Sequence, residues 1–432
     1  MVGISSNSCP LTARSVPSRL LLKSEYSTMS PVLPFDVIAV IIDIVGENKD
    51  TDLLKELALV SHSFHHICIK QLFANIDLHD ADPFYHLVSS KNGFVQLVKS
   101  RPDIVNYIRK LTYKVSAGDN REDDHLLSPI LSNFLPTTSC LNCLEINASG
   151  WEWNALDSSL TSAFLHLISL PTINHIDLSF IQNFPLSSLT SSVNLLRLDM
   201  RYLHDIEEDN YSKNVQSEML PKIREFHTSN SCWPTMKLLD IKGQDGRPVF
   251  NFMDLRQLSV TFFDFEDIRN IQCLLEKAKL LERLHLSVIS FRLSLVGVLS
   301  TASRTLKVLY LTVPIYQYLP PPLAGLCEEL ESMAGHNTLE VLSFEVVVDS
   351  RQSFDSVGSR IQEVENVLVK PGWAALRQVS FKLAVRDGEG CKELTEALQS
   401  LPDKYFSRLS KLEPVAFSYS AYSFSYLAYS SA

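Results

Sequence analysis

The sequence predicts an α/β chain: a small N-terminal module of three helices, then an irregular solenoid with parallel strands on a concave face and helices and loops outside. Three observations carry this. Between Pro31 and Leu78, apolar residues fall at helical spacing in three short segments. From Ile108 onward one pattern, apolar-x-x-apolar-x-apolar, recurs ten times. Successive copies begin 22 to 37 residues apart, and the segments between them read as amphipathic helices or loops. The expected organisation is a disordered leader (1–30), the helical module (31–78), a helical linker (79–107), the repeat region (108–412) and a low-complexity tail (413–432).

The first helix begins at Pro34, with Asp36 in its first turn, where an acid favours the positive end of the helix dipole. Ile38, Ile41, Ile42 and Val45 make one face, and Val37, Val40 and Ile44 make a second apolar row beside it. Such a helix reads as buried on both sides. Gly46 and the following "ENKD" close it. Thr51 or Asp52 caps the second helix, which presents Leu53, Leu54, Leu57, Ala58 and Val60. Ser61 caps the third, with Phe64, Ile67, Cys68 and Leu72 on one stripe.

The stretch "LVSHSFHHIC" (Leu59 to Cys68) invites a metal reading that helical geometry rejects. Only His62 and His66 share a face, while Cys68 projects on the apolar stripe, and no second cluster with zinc spacing follows. Cys68 reads as a small core residue. Three helices in about 45 residues are marginal alone. They carry more apolar surface than they can hide from water, so the surplus row on the first helix needs a cover. Either a partner or the rest of the chain supplies it.

Leu33-Pro34, Asp36, the Val37/Ile38 and Ile41/Ile42 pairs, Leu53-Leu54, Leu57 and "LVSHSF" together resemble the F-box. The continuation "CIKQLFANIDL" is similar to the form common among fungal F-box proteins. Phe64 stands where many members carry Trp, and the loop "GENKDT" is long and polar. The resemblance implies docking onto the adaptor Skp1, which links F-box proteins to a cullin-based ubiquitin ligase. The residues it implies for docking are Leu33, Pro34, Val37, Ile38, Ile41, Leu53, Leu57 and Val60, with Phe64 supporting the helix packing.

The ten copies run from "IRKLTY" (Ile108 to Tyr113) to "LRQVSF" (Leu376 to Phe381), and strand plus helix at this period is the signature of a leucine-rich repeat. The asparagine usual after the strand is mostly missing, so the repeats are degenerate. A doubtful extra copy, "MKLLDI" (Met236 to Ile241), lies too close to its neighbour to be a full repeat. "DIRNIQCLLEKAK" (Asp267 to Lys279) reads as a helix burying Ile268, Ile271, Leu274 and Leu275. Side chains alternate along a strand, so residues between the apolar triplet line the concave face. They hold six basic and five acidic residues and few aromatics, which suits a folded protein surface, or a merely solvated sheet. Candidate substrate contacts there are Asp177, Arg197, Asp199, Arg201, Arg283, His285 and Tyr310.

A net charge of −10 argues against wholesale nucleic-acid binding. No run of about 18 apolar residues is present to span a membrane. Eight scattered cysteines without a secretory signal read as reduced thiols of the cytosol or nucleus. Cys140 and Cys143 have C-x-x-C spacing, but on a strand they point to opposite faces. "HDIEEDN" (His204 to Asn210) reads as a solvated acidic loop and "YLPPPLAG" (Tyr318 to Gly325) as a stiff polyproline connector. The Ser/aromatic tail "FSYSAYSFSYLAYSS" (Phe417 to Ser431) reads as disordered, with a single exposed strand as the alternative.

No nucleophile–base pair, carboxylate pair, cofactor motif or metal cluster is nominated, so a non-catalytic role is expected. The leading expectation is the substrate-recognition adaptor of a Skp1–cullin–F-box ligase. It would hold a Skp1-like adaptor by its helices and a protein substrate by its repeats. The alternative is a leucine-rich-repeat scaffold without a ubiquitin role, in which the apolar surplus packs internally.

Overall fold

The structure is a computed structural model that describes residues 34–48, 50–79, 90–115, 124–204, 221–230, 232–242, 247–262, 265–288, 297–299, 302, 304–315, 322–349, 352–388 and 390–424. The expected leader, Leu33, the acidic stretch after His204 and the first part of the proline connector lie outside these residues.

Three helices open the described chain: α1 (Phe35–Glu47), α2 (Thr51–Ala58) and α3 (His62–Leu72). They enclose a small core of their own, Ile42, Leu54 and Cys68, ringed by Ile38, Val45, Leu57, Phe64 and Leu72. Everything after them builds one twelve-stranded sheet whose strands follow chain order and pair in parallel throughout. The sheet is open, with β1 and β12 at its two ends.

The first strand, β1 (Asn75–His79), follows α3 directly. The sheet therefore starts within the expected helical module rather than at residue 108. Helix α4 (Ser90–Ser100) and a 3-10 turn (Pro102–Tyr107) make the described part of the expected linker after residue 89 helical, and Phe94, Val95 and Val98 seal it against the main core. Then come β2 (Lys110–Lys114), α5 (Asp124–Leu131), β3 (Cys143–Glu152), α6 (Ser158–Ile168), β4 (His175–Gln182), β5 (Arg197–Arg201) and β6 (Glu225–Ser229). The middle of the sheet is α7 (Cys232–Asp240), β7 (Gln257–Phe262), α8 (Phe265–Lys277), β8 (Arg283–Val288) and β9 (Val308–Ile315). It ends with α9 (Pro322–Met333), β10 (Val341–Val348), α10 (Phe354–Leu368), β11 (Gln378–Arg386), α11 (Cys391–Leu398), α12 (Leu401–Tyr405) and β12 (Ala416–Phe424).

All ten copies of the apolar pattern become strands β2 to β11, and their apolar positions are buried, for example Leu111, Leu144, Ile176 and Leu198. The helices cover that one face, and a single core runs the length of the sheet. The doubtful copy at Met236 to Ile241 is helical, within α7 and just past its end, and the expected helix from Asp267 buries all four of its apolar residues. Two expectations change. Pro322 opens α9, so the proline stretch passes into a helix, as Pro at a first turn permits. The tail is not left disordered over Ala416–Phe424: it extends the sheet beyond residue 412 as β12, paired along all nine residues with β11. The Tyr419 hydroxyl donates to the Leu398 carbonyl at 2.6 Å, and Phe417 packs on Phe406 at 5.0 Å between ring centres. Alternation of Ser with aromatics is therefore a strand pattern here, with Phe417, Tyr419 and Ala421, every second residue, turned to the core.

Candidate functional site: an apolar ridge and a polar sheet face

The ridge is built by helix geometry. Asp50, not Thr51 or Asp52, caps α2, its carboxylate accepting from Leu53 N at 3.1 Å. Ser61 caps α3 by accepting from Phe64 N at 3.3 Å. With the helices so placed, Ile42 turns fully inward while Phe35, Val37, Val40, Ile41 and Ile44 stay exposed along α1. Within the chain itself the second row of α1 faces solvent, and Ile41 belongs to it. Leu53 is exposed on α2, and Leu59 (86% exposed) and Val60 follow its end. Of the residues expected to dock, Pro34, Val37, Ile41, Leu53 and Val60 are exposed, whereas Ile38, Leu57 and Phe64 lean inward on the small core. Phe35 and Leu59 were missed by sequence reasoning. The i, i+3, i+7 row through Val37, Val40 and Ile44 signalled its own last two members.

The three histidines lie on the exposed side of α3, and His66 meets the Tyr107 ring edge-on at 6.4 Å. Cys68 is sealed in the small core, and burial pushes its thiol pKa up. Within the described residues no group of three or more His, Cys, Asp or Glu side chains is placed to hold a metal ion.

Among the described residues the opposite face of the sheet carries no helix, and the residues there stand in rows because the strands pair in parallel register. One row reads Thr112, Glu145, Asp177, Asp199, His227 across five adjacent strands, on the near side of a register shift between β3 and β4 after Asn147. Over β1 to β6 the charges on this face neutralise one another. Lys114 pairs with Asp77 at 2.7 Å, Lys110 with Glu145, and Arg201 with Asp177. Arg197 pairs with Asp199 at 2.9 Å and approaches Glu225 at 3.8 Å. Burial raises the Asp177 pKa against the pull of Arg201 and Ser179. For Asp199 burial acts the same way, but bonds from His175 and Arg197 win and hold it at about 2. Four expected contacts, Asp177, Arg197, Asp199 and Arg201, are therefore engaged with each other.

One grouping was invisible in the sequence. Cys143 Sγ lies 3.1 Å from His175 Nδ1, and His175 Nε2 lies 3.0 Å from Asp199 Oδ2. The order thiol, imidazole, carboxylate has the geometry of an activated nucleophile. Burial opposes charge on His175, yet its bonds to Asp199 and Cys143 outweigh burial and raise its pKa to about 9. The three side chains link β3, β4 and β5 across the sheet face. His227 beside them is pushed the other way by burial, and its Nε2 has no hydrogen-bond partner.

Beyond β7 the face changes character. Around His285, Tyr310, Thr312, Ser343, Glu345 and Lys382 it sinks into a pocket of about 330 Å³. The Tyr422 hydroxyl donates to Glu345 Oε1 at 2.6 Å, so strand β12 reaches a residue of its lining. His285 meets Tyr310 edge-on at 6.1 Å. The expected contacts Arg283, His285 and Tyr310 are all exposed here. A scan against protein-family models finds no match to this chain, and a search of curated proteins finds none.

Proposed function

We propose that the chain is the substrate-recognition adaptor of a Skp1–cullin–F-box ubiquitin ligase. In this reading α1 to α3 form an F-box that docks a Skp1-like adaptor, and β1 to β12 form a degenerate leucine-rich-repeat solenoid that holds a protein substrate. The observation that supports it most is the uncovered ridge of Phe35, Val37, Val40, Ile41 and Ile44. Five large apolar side chains on one helix carry a hydration cost that a partner removes at about 25 cal/mol per Å² of apolar area covered. The scaffold alternative expected this surplus to pack internally, and its exposure weighs against that reading. Catalysis then belongs to other subunits, and the chain contributes by raising the local concentration of substrate lysines near the ubiquitin carrier.

The open face favours a substrate anchored near β8 to β12. Asp177, Arg197, Asp199 and Arg201 on β4 and β5 are already paired with one another, whereas Tyr310 and Arg283 are exposed. Arg283 and Lys382 form no ion pair among the described residues. Aromatic and arginine side chains carry much of the energy of protein interfaces.

The test is a binding titration of purified full-length Ile41→Asp against a recombinant Skp1-like adaptor. Loss of binding with an unchanged melting temperature is the expected result. Wild-type affinity in that variant would remove the adaptor reading.

A further inference from the structure

Three neighbouring strands share one unusual feature. Ser179, Arg201 and Ser229 share one register row, and the residue after each, Phe180 within β4, Tyr202 just past β5 and Asn230 just past β6, adopts a left-handed backbone with φ of 55°, 53° and 48°. This conformation resets the alternation of side chains. After Ile176 and Leu178 the next buried apolar residue is Ile181, and after Leu198 and Met200 it is Leu203. The left-handed residue is thus rotated out of the core in each case.

Asn230 is the residue type that tolerates this backbone, because its short polar side chain fits the left-handed region. Phe and Tyr do not. Bulky side chains held there are strained, and such strain clusters at binding sites. What Phe180 and Tyr202 gain is each other: their rings stack with centres 4.6 Å apart and planes 6° apart. Phe180 remains 40% exposed. Two residues past Phe180, Gln182 is aligned with Glu152 on the neighbouring strand β3, and Glu152 is exposed and carries no ion pair among the described residues. At the glycine turn on that strand, Gly150, a Cβ would meet nothing within 4 Å, so space lies open there.

We propose that the Phe180–Tyr202 stack, with Glu152 on the neighbouring strand β3, receives an arginine side chain of a protein partner. A guanidinium lies flat on an aromatic face while its N–H groups reach a carboxylate, and both elements are present on adjacent strands. The unpaired charge is an acid and the whole chain carries −10, so the complementary group is a cation. The proposal deepens the reading of the sheet as the substrate-binding part of the adaptor and rests on it.

The test uses the full-length chain and N-acetyl-arginine amide as probe, followed by the ring resonances of Phe180 and Tyr202 in NMR titration. Saturable shifts are expected, weakened roughly tenfold or more in Phe180→Asn and severalfold in Glu152→Gln, in keeping with a cation–π contact plus an exposed ion pair. Phe180→Asn is also expected to keep or raise the melting temperature, since Asn suits the backbone better. Equal shifts from N-acetyl-glutamine amide, or stronger ones from the proline or phenylalanine amide, would overturn the arginine assignment. So would a fall of several degrees in the melting temperature of Phe180→Asn, which would make the stack a packing element. Failure of the probe while Ile41→Asp still abolishes adaptor binding would remove this proposal alone.

Discussion

Ile41 and Ile42 are consecutive in α1 and face opposite ways: Ile42 has no accessible surface, and Ile41 keeps 44% of its own. A 100° step per residue separates the inside of the small bundle from its outer ridge. The two positions respond differently to the same change. Ile41→Asp is expected to leave circular dichroism and the melting temperature close to wild type. Ile42→Asp puts a carboxylate into a core of three buried residues and is expected to unfold α1 to α3. Loss of helical signal in both variants would show that the ridge is part of the core.

Lys91 is buried completely. Its ammonium donates to Asp124 Oδ1 at 2.7 Å and to the Tyr113 hydroxyl at 3.2 Å, and Tyr113 donates to the same carboxylate at 2.9 Å. Removing one member leaves a buried charge behind, which costs about 3–5 kcal/mol. Lys91→Ala is expected to lose stability on that scale in urea unfolding. Replacing the set together, Lys91→Met with Asp124→Leu and Tyr113→Phe, is expected to recover most of it, because the desolvation cost disappears with the charges.

The His175–Asp199 contact makes stability depend on pH in a defined direction. His175 is raised from 6.5 to about 9, so the folded chain keeps a proton that the unfolded chain releases. Its contribution is complete below pH 6.5, is lost as pH climbs through 9, and amounts to at most about 3 kcal/mol. Asp199 is lowered from 3.8 to about 2, so its contribution holds above 3.8 and is lost as pH falls toward 2. Melting temperatures are expected to decline between pH 6.5 and 9, and His175→Gln is expected to abolish that part of the decline. An equal alkaline decline in the variant would assign it to another group.

Gly358 shows packing overruling helix propensity. Alanine in the middle of α10 is favoured over glycine by about 1 kcal/mol. Here, however, an added Cβ would lie 2.2 Å from the Tyr405 ring, which is held by its hydroxyl bond to Asp355 at 3.0 Å. Overpacking of this kind costs about 1–3 kcal/mol, so Gly358→Ala is expected to lower the melting temperature. A rise would mean that Tyr405 moves aside freely.

By itself the sequence determined what depends on local period. Alternation placed Leu111, Leu144 and Ile176 in the core and Glu145, Asp177 and Asp199 on the opposite face, and helical spacing put Cys68 inside and left His62 and His66 out. Both follow from bond geometry within a few residues of the chain. Tertiary structure decided what depends on which strand lies beside which. The bonds of Asp199 to His175 and of Asp177 to Arg201 exist only because β4 and β5 are in register, 24 residues apart in the chain. Whether the Ser/aromatic tail becomes a strand depends on the free edge of β11, which no local pattern describes. The outward turn of Phe180 and Tyr202 likewise requires Ile181 and Leu203 to take the core places beyond them. Side-chain alternation is a local property, whereas register and edge pairing are settled only when distant segments meet.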